Sequence, residues 1–153
     1  MAAAGELFSL DEAQIARLIP HQGDMCLLAC VTQYDPQSIT CMATSHRLAT
    51  NPLRENGQLH AICGVEYAAQ AMAIHGTLLS GQSDQPPRGG RLAGVRSLDL
   101  KVNRLDDIEA DLEIHATQIM GDENSMVYEF TVSAVGHHLL KGKATVILMS
   151  APT

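Results

Sequence analysis

Residues Ala61 to Ser80 set the terms for any fold this chain can adopt. The run is rich in helix formers, is apolar nearly all the way round, and carries one formal charge, Glu66, which is the only Asp, Glu, Lys or Arg between Glu55 and Asp84. A helix without a polar face has to be covered on most sides. The remaining sequence must therefore supply the cover. Burying a lone carboxylate costs several kcal/mol unless it is paired, hydrogen-bonded or protonated, so Glu66 calls for a reason, and the leading reason is chemistry.

The cover is legible downstream. Leu98, Leu100 and Val102 alternate with Asp99, Lys101 and Asn103, and Ile108, Ala110, Leu112 and Ile114 alternate with Glu109, Asp111, Glu113 and His115. Gly121 to Asn124 turns into a third alternating segment holding Met126, Tyr128, Phe130 and Val132, and Gly136-His137 into a fourth that ends at Met149. A period of two with one polar face describes an antiparallel sheet with one side wet. Upstream, Ser9-Leu-Asp-Glu12 has the form of a capping box ahead of Ile15, Leu18 and Ile19, and Pro20 ends that short helix. Met25 to Tyr34 and Ser38 to Ser45 read as a strand hairpin around Asp35-Pro36. Residues 47–59 form a loop, and 81–90, with Pro86-Pro87 and Gly89-Gly90, a surface connection. The sheet has one apolar face and only one element apolar enough to cover it, so it should curl around the 61–80 helix. This is the α+β layout of a hotdog fold, as a single domain over 1–153. Alanines 61, 68, 69, 71 and 73, with Gly64 and Gly76, allow helix and sheet to approach closely.

At 153 residues one domain buries about 70% of its unfolded surface. The net charge of −7 argues against nucleic acid or an anionic membrane as partner. No uninterrupted apolar run reaches about 18 residues, and no basic stretch precedes an apolar one at the N-terminus, so a cytoplasmic location is expected. Cys26, Cys30, Cys41 and Cys63 form no C-x-x-C pair and lie in apolar segments, as free buried thiols do. No metal site is expected.

Two short motifs carry a resemblance. Leu18-Ile-Pro-His21, followed by Met25-Cys-Leu-Leu28 and Val31, resembles the opening of the 3-hydroxyacyl-(acyl carrier protein) dehydratases of the FabZ/FabA type. Gly64-Val-Glu66-Tyr-Ala-Ala-Gln70 resembles their helix motif, an acid followed four residues later by glutamine, and is closer still to the dehydratase-like subunits of aryl polyene clusters. The resemblance implies elimination of water from a 3-hydroxyacyl thioester to give a trans-2-enoyl product. It implies a substrate on the phosphopantetheine arm of an acyl carrier protein, no other cofactor, and a dimer whose sites draw on both protomers. In that chemistry a histidine takes the C2 proton and a carboxylic acid protonates the leaving hydroxyl, while N–H groups at the helix start hold the thioester oxygen. The chain departs from the family in two places. Ala29-Cys30 replaces an Asp-Arg pair, and the catalytic histidine expected fourteen residues before the acid falls at Pro52, in a loop without histidine.

The candidates follow. Glu66 is the acid, or else a carboxylate satisfied by loop N–H groups or by an arginine such as Arg91 or Arg96. Gln70 lies one turn on and either supports the acid and substrate or pairs with backbone. Ala61 and Ile62 offer backbone donors to the substrate. The base is His60, before the helix, or His21, at the entrance of the first strand; a histidine from a second hotdog subunit in a heterodimer is the third option. His46 is a further alternative, and His75, nine residues from Glu66, is read as a core histidine. Arg88, Arg91, Arg96, Lys101 and Arg104 form a basic cluster suited to a carrier protein or to a solvated strand face. A hotdog thioesterase and a non-catalytic scaffold subunit remain the alternatives to a dehydratase.

Overall fold

In the computed structural model, which describes residues 9–19, 23–80 and 90–148, six strands form one antiparallel sheet around a single long helix. The N-terminal helix α1, Glu12–Ala16, is capped two residues later than expected. Asp11 accepts the Gln14 N–H at 2.9 Å, and the Gln14 side chain accepts the Asp11 N–H at 2.9 Å. Asp11 and Gln14 thus complete the box that Ser9 and Glu12 had suggested. The expected strand from Met25 starts only at Cys30. The Cys26 N–H turns back to the Gly23 carbonyl, and the Leu27 N–H goes to the Gln70 side chain rather than to a ladder. Strand β1, Cys30–Tyr34, then pairs with β2, Ser38–Ala43, across an Asp35 turn in which the carboxylate accepts the Gln37 and Ser38 N–H groups.

The apolar segment becomes one 3₁₀ turn, Ala61–Cys63, running into α2, Gly64–Ser80. It is followed by β3 (Gly90–Leu100), β4 (Leu112–Gly121), β5 (Ser125–Ala134) and β6 (His137–Leu148). The sheet order is β1-β2-β4-β5-β6-β3, with every neighbouring pair antiparallel. Strand β3 begins at a glycine that the sequence pattern assigned to a connection. Small residues and two bulges, at Ala93 and at Ser97–Leu98, hide its alternation. Ile108 and Ala110 fall outside β4, because their carbonyls accept from His46 instead of a strand neighbour.

Helix α2 packs on β2, β4 and β5. Tyr67, Ala68, Ala71 and Ile74 are fully buried against Ile39, Cys41, Ile114, Ala116, Tyr128 and Phe130. Each large apolar side chain buried in this way contributes about 1.5–3 kcal/mol. Gly64 is where helix and sheet come closest, since a Cβ there would stand 2.6 Å from Leu140 Cδ2. Four of the seven small residues, Ala61, Gly64, Ala68 and Ala71, are buried there, and three are not. Ala73 is exposed, Ala69 is half-buried, and a Cβ on Gly76 would meet nothing within 4 Å. One stripe of α2 is thus left open by the described residues. Among the described residues no helix is long and apolar enough to cross a membrane.

Candidate active site

Helix α2 owes its placement to polar contacts on its sheet side. Gln70, 1% exposed, accepts the Leu27 N–H at 2.9 Å and donates to the Met25 carbonyl at 2.7 Å, fastening the helix to the segment ahead of β1. Its amide thus holds backbone, the structural alternative, although the residue also lines the groove described below. One turn earlier, the Tyr67 hydroxyl meets Ser45 Oγ at 2.8 Å. Ser45 in turn donates to the Leu27 carbonyl at 2.7 Å, so Tyr67 is the donor of the pair. Asn51 donates to Tyr67 Oη and to the Ser45 carbonyl, both at 3.0 Å, and its Oδ1 accepts the Leu53 N–H. The loop where the resemblance placed a catalytic histidine is therefore anchored beneath the helix by asparagine. Burial raises the Tyr67 hydroxyl above its ordinary proton affinity, so it acts as a neutral strut.

Glu66 faces the other way. It is half-buried and lines a groove of about 260 Å³ with Ala69, Gln70, Met72 and Ala73 of α2, Gly90, Arg91 and Leu92 of β3, and Val146 of β6. The walls are mainly apolar, and among the described residues that line them Glu66 and Arg91 are the two of charged type. Glu66 therefore occupies a groove wall rather than the core that an all-apolar helix suggested. Arg91, an arginine the sequence offered as its possible counter-charge, lines the same groove.

The base candidates lie elsewhere. His60 caps the 3₁₀ turn without a side-chain capping bond; its ring is 48% exposed and stands 3.7 Å from the Glu55 carboxylate, away from the groove lining. His21 lies outside the described residues. His75 is the core histidine expected: Nε2 donates to the Asp35 carbonyl at 2.8 Å and Nδ1 accepts from the Tyr128 hydroxyl at 2.7 Å. His46 is fully buried with Nε2 on the Ile108 and Ala110 carbonyls at 3.0 Å. Burial pushes both imidazoles below their usual proton affinity. The expectation for Ala61 is corrected: its N–H donates to the Asn103 carbonyl at 3.0 Å, which removes it as a ligand donor. Ile62, 56% exposed at the start of the helical segment, is left of that pair.

The residues that stitch this entrance were not apparent from sequence. The Asp106 carboxylate accepts the Leu59 N–H at 2.9 Å and is clamped by Arg104, while the Leu105 N–H returns to the Leu59 carbonyl at 2.8 Å. The guanidinium holds the Asp106 carboxyl far below the ordinary carboxylate range. Arg104 therefore leaves the basic cluster to fix the helix start; of the others, Arg88 lies outside the described residues. Among the described residues no three metal-ligating side chains gather.

The family model for ApeP-like proteins, described as ApeP dehydratase, matches residues 13–152. This chain belongs to the ApeP-like dehydratase family. It is accordingly a hotdog dehydratase subunit, of the hydro-lyase class. No individually curated protein matches it. Among solved structures, the ApeP-like chain is similar to the dehydratase heterocomplex ApeI:P from Xenorhabdus doucetiae, with a TM-score of 0.79 and 21% identity over 89% of this chain and 91% of that one. It is similar also to a thioesterase of Pseudomonas aeruginosa in mutant form (TM-score 0.62, 14% identity, 92% and 94% covered). A hypothetical thioesterase of Streptococcus pneumoniae with coenzyme A is a more distant likeness (0.57, 14%, 80% and 87%). At these identities the structural likenesses establish the hotdog fold.

Proposed function

We propose that this chain is the acid-bearing subunit of a heterodimeric 3-hydroxyacyl-(acyl carrier protein) dehydratase in which a second hotdog subunit supplies the histidine. The observation that carries this reading is the groove, whose described lining residues include Glu66 and Arg91 and no histidine. Its volume of about 260 Å³ falls below the ~300–1,000 Å³ of ordinary small-molecule sites, which fits one half of a shared site. The heterocomplex from Xenorhabdus doucetiae supplies the precedent for two subunits. The four free thiols suit a reducing compartment such as the cytoplasm.

The chemistry then runs as follows. The substrate's thioester carbonyl lies at the start of the helical segment, where the Ile62 N–H and the positive end of the helix favour charge on its oxygen. The partner's histidine takes the C2 proton, the C2–C3 double bond forms as the C3–O bond breaks, and Glu66 in its acid form gives its proton to the departing hydroxyl, which leaves as water. One proton is taken and one given, so exchange with solvent resets both groups. Arg91, in the same groove, offers a cation to the phosphate of the phosphopantetheine arm or to acidic groups of the carrier protein. No further cofactor is needed.

The test is mass spectrometry of a 3-hydroxyacyl-carrier-protein substrate incubated with this chain alone, with a histidine-bearing hotdog partner, and with the partner plus Glu66→Gln. Loss of 18 Da only in the mixture, abolished by Glu66→Gln, is expected. Dehydration by the chain alone would remove the need for a partner. Release of free acid and thiol would instead establish the thioesterase reaction, and full activity of the Glu66→Gln complex would reduce the chain to a scaffold.

A further inference from the structure

Three consecutive residues ahead of Ile62 are tied to one crossover segment. Leu59, fully buried, gives its N–H to the Asp106 carboxylate at 2.9 Å and takes the Leu105 N–H on its carbonyl at 2.8 Å. His60 forms an isolated antiparallel bridge with Arg104, and the Ala61 N–H goes to the Asn103 carbonyl at 3.0 Å. Residues 59–61 are thus held as a short extended ladder on 103–106. The 3₁₀ turn starts from this ladder, with the Cys63 N–H on the His60 carbonyl at 2.9 Å. The next N–H after Ala61 is that of Ile62.

The side chains in the ladder form an ion pair. Arg104 grips the Asp106 carboxylate through Nε at 3.0 Å and through one terminal nitrogen, a two-point fork. Only 6% of the Asp106 side chain is exposed, against 37% for Arg104. Desolvation of such a pair offsets much of its attraction, so its net stabilisation is small. Its effect is on direction: the fork fixes the plane of the carboxylate, and the carboxylate fixes the Leu59 N–H. Asp107 provides a contrast within the same cluster. It stands 3.9 Å from the same Arg104 Nε and its side chain is 59% exposed, but among the described residues its carboxylate makes no hydrogen bond to residues 59–62.

We infer that the Arg104–Asp106 pair is a positioning device for the reaction, setting where the Ile62 N–H stands relative to Glu66. The inference rests on the reaction proposed above, in which the Ile62 N–H takes the thioester oxygen and Glu66 protonates the C3 hydroxyl. Four residues separate them, about one helical turn of ~5.4 Å, and both oxygens belong to one substrate. A shift of the helix start spoils that match, and a misplacement of about 1 Å can lower a rate ~100-fold. The thioester oxygen gains its charge only on the way to the transition state. The pair therefore acts on kcat and leaves KM in place.

The test compares Asp106→Asn, Arg104→Lys and Asp107→Asn with wild type in two measurements, after circular dichroism and a urea midpoint have checked folding. One is the amide NMR spectrum of the isotope-labelled chain alone; the other is kcat and KM for enoyl formation in the complex with the histidine-bearing subunit. Asparagine at 106 keeps an oxygen for the Leu59 N–H but sets an amide N–H₂ against an Arg104 donor, which breaks the fork. The Leu59 and Ile62 amide signals are expected to move, and kcat to fall about 10- to 100-fold at constant KM. Arg104→Lys supplies the charge without the fork and should fall between; Asp107→Asn should match wild type. An unmoved Ile62 signal, an unchanged kcat, or equal losses from Asp106→Asn and Asp107→Asn would each overturn the inference. So would a raised KM with kcat intact, which would make the pair a binding element. If Asp106→Asn fails to fold, Arg104→Lys against Asp107→Asn decides the same questions. A wild-type complex that does not dehydrate its substrate would instead sink the proposed reaction, while the amide spectrum still shows whether the pair places Ile62.

Discussion

The two sides of helix α2 obey different rules. On the sheet side Tyr67, Gln70 and His75 are fully buried, and each places its polar atoms on named partners. On the groove side Glu66, Ala69 and Ala73 are half-buried or exposed, and small side chains leave a space that the described residues do not fill. The first side specifies where the helix sits. The second lines the groove that holds Glu66. A helix that looks apolar all round in sequence is therefore two half-surfaces, one satisfied against the sheet and one facing the groove.

The sharpest way to break this contrast is Glu66→Gln. In the complete complex it should lower enoyl formation by about 100-fold or more, the scale of general-acid catalysis, while the denaturation midpoint of the isolated subunit barely moves. A large loss of stability with the activity loss would place Glu66 on the structural side. Gln70→Ala should do the reverse: it strands the Leu27 N–H and the Met25 carbonyl, at about 1–3 kcal/mol for each buried group left unpaired, and urea unfolding should report that loss. Gly64→Ala comes next. Its Cβ would press on Leu140 Cδ2 at 2.6 Å, and overpacking of this kind costs about 1–3 kcal/mol. Gly76→Ala is its counterpart on the open side, where nothing lies within 4 Å. There the unfolded chain loses freedom at no steric cost, so stability should rise by about 0.4–1 kcal/mol. Equal signs for the two glycine variants would erase the distinction between the faces.

How much of this could be read from sequence follows the same division. The order hairpin, long helix, antiparallel strands was visible because periodicity reports burial, and His75 read as core because nine residues carry it round the helix from Glu66. Glu66 stood out as a lone charge. What stayed hidden depends on partners distant along the chain: Tyr67 with Ser45 and Asn51, Gln70 with the 25–27 backbone, and the Ala61 N–H with Asn103. No local pattern announces such pairs. Strand β3 was missed at its start because bulges and small residues broke its alternation. Of the residues that line the groove, Glu66, Gln70 and Arg91 had been singled out in the sequence, whereas Leu92 and Val146 had not.

The pH dependence of stability is the most specific probe of the sheet side, and its sign follows from the two buried histidines. His75 is held neutral: its Nε2–H goes to the Asp35 carbonyl, and its Nδ1 lone pair takes the Tyr128 O–H. His46 gives its Nε2–H to two carbonyls, and its Nδ1 is buried without a partner. Burial lowers the proton affinity of both rings in the folded state. As pH falls below about 6.5, the ordinary imidazole value, the unfolded chain takes up protons that the folded chain refuses. Stability then declines, by up to about 1.4 kcal/mol per pH unit for each histidine. Asp35, held low by the Gln37 N–H, and Asp106, held low by Arg104, add their losses only in the more acidic carboxylate range. Above neutrality neither imidazole binds a proton in either state, so that flank should be flat. His75→Gln, whose amide can still give an N–H to Asp35 and accept from Tyr128, should lower stability at pH 8 yet flatten the decline between pH 7 and 5. An unchanged slope would mean that His75 is reached by protons in the folded protein, and the sheet side would then be less closed than its hydrogen bonds imply.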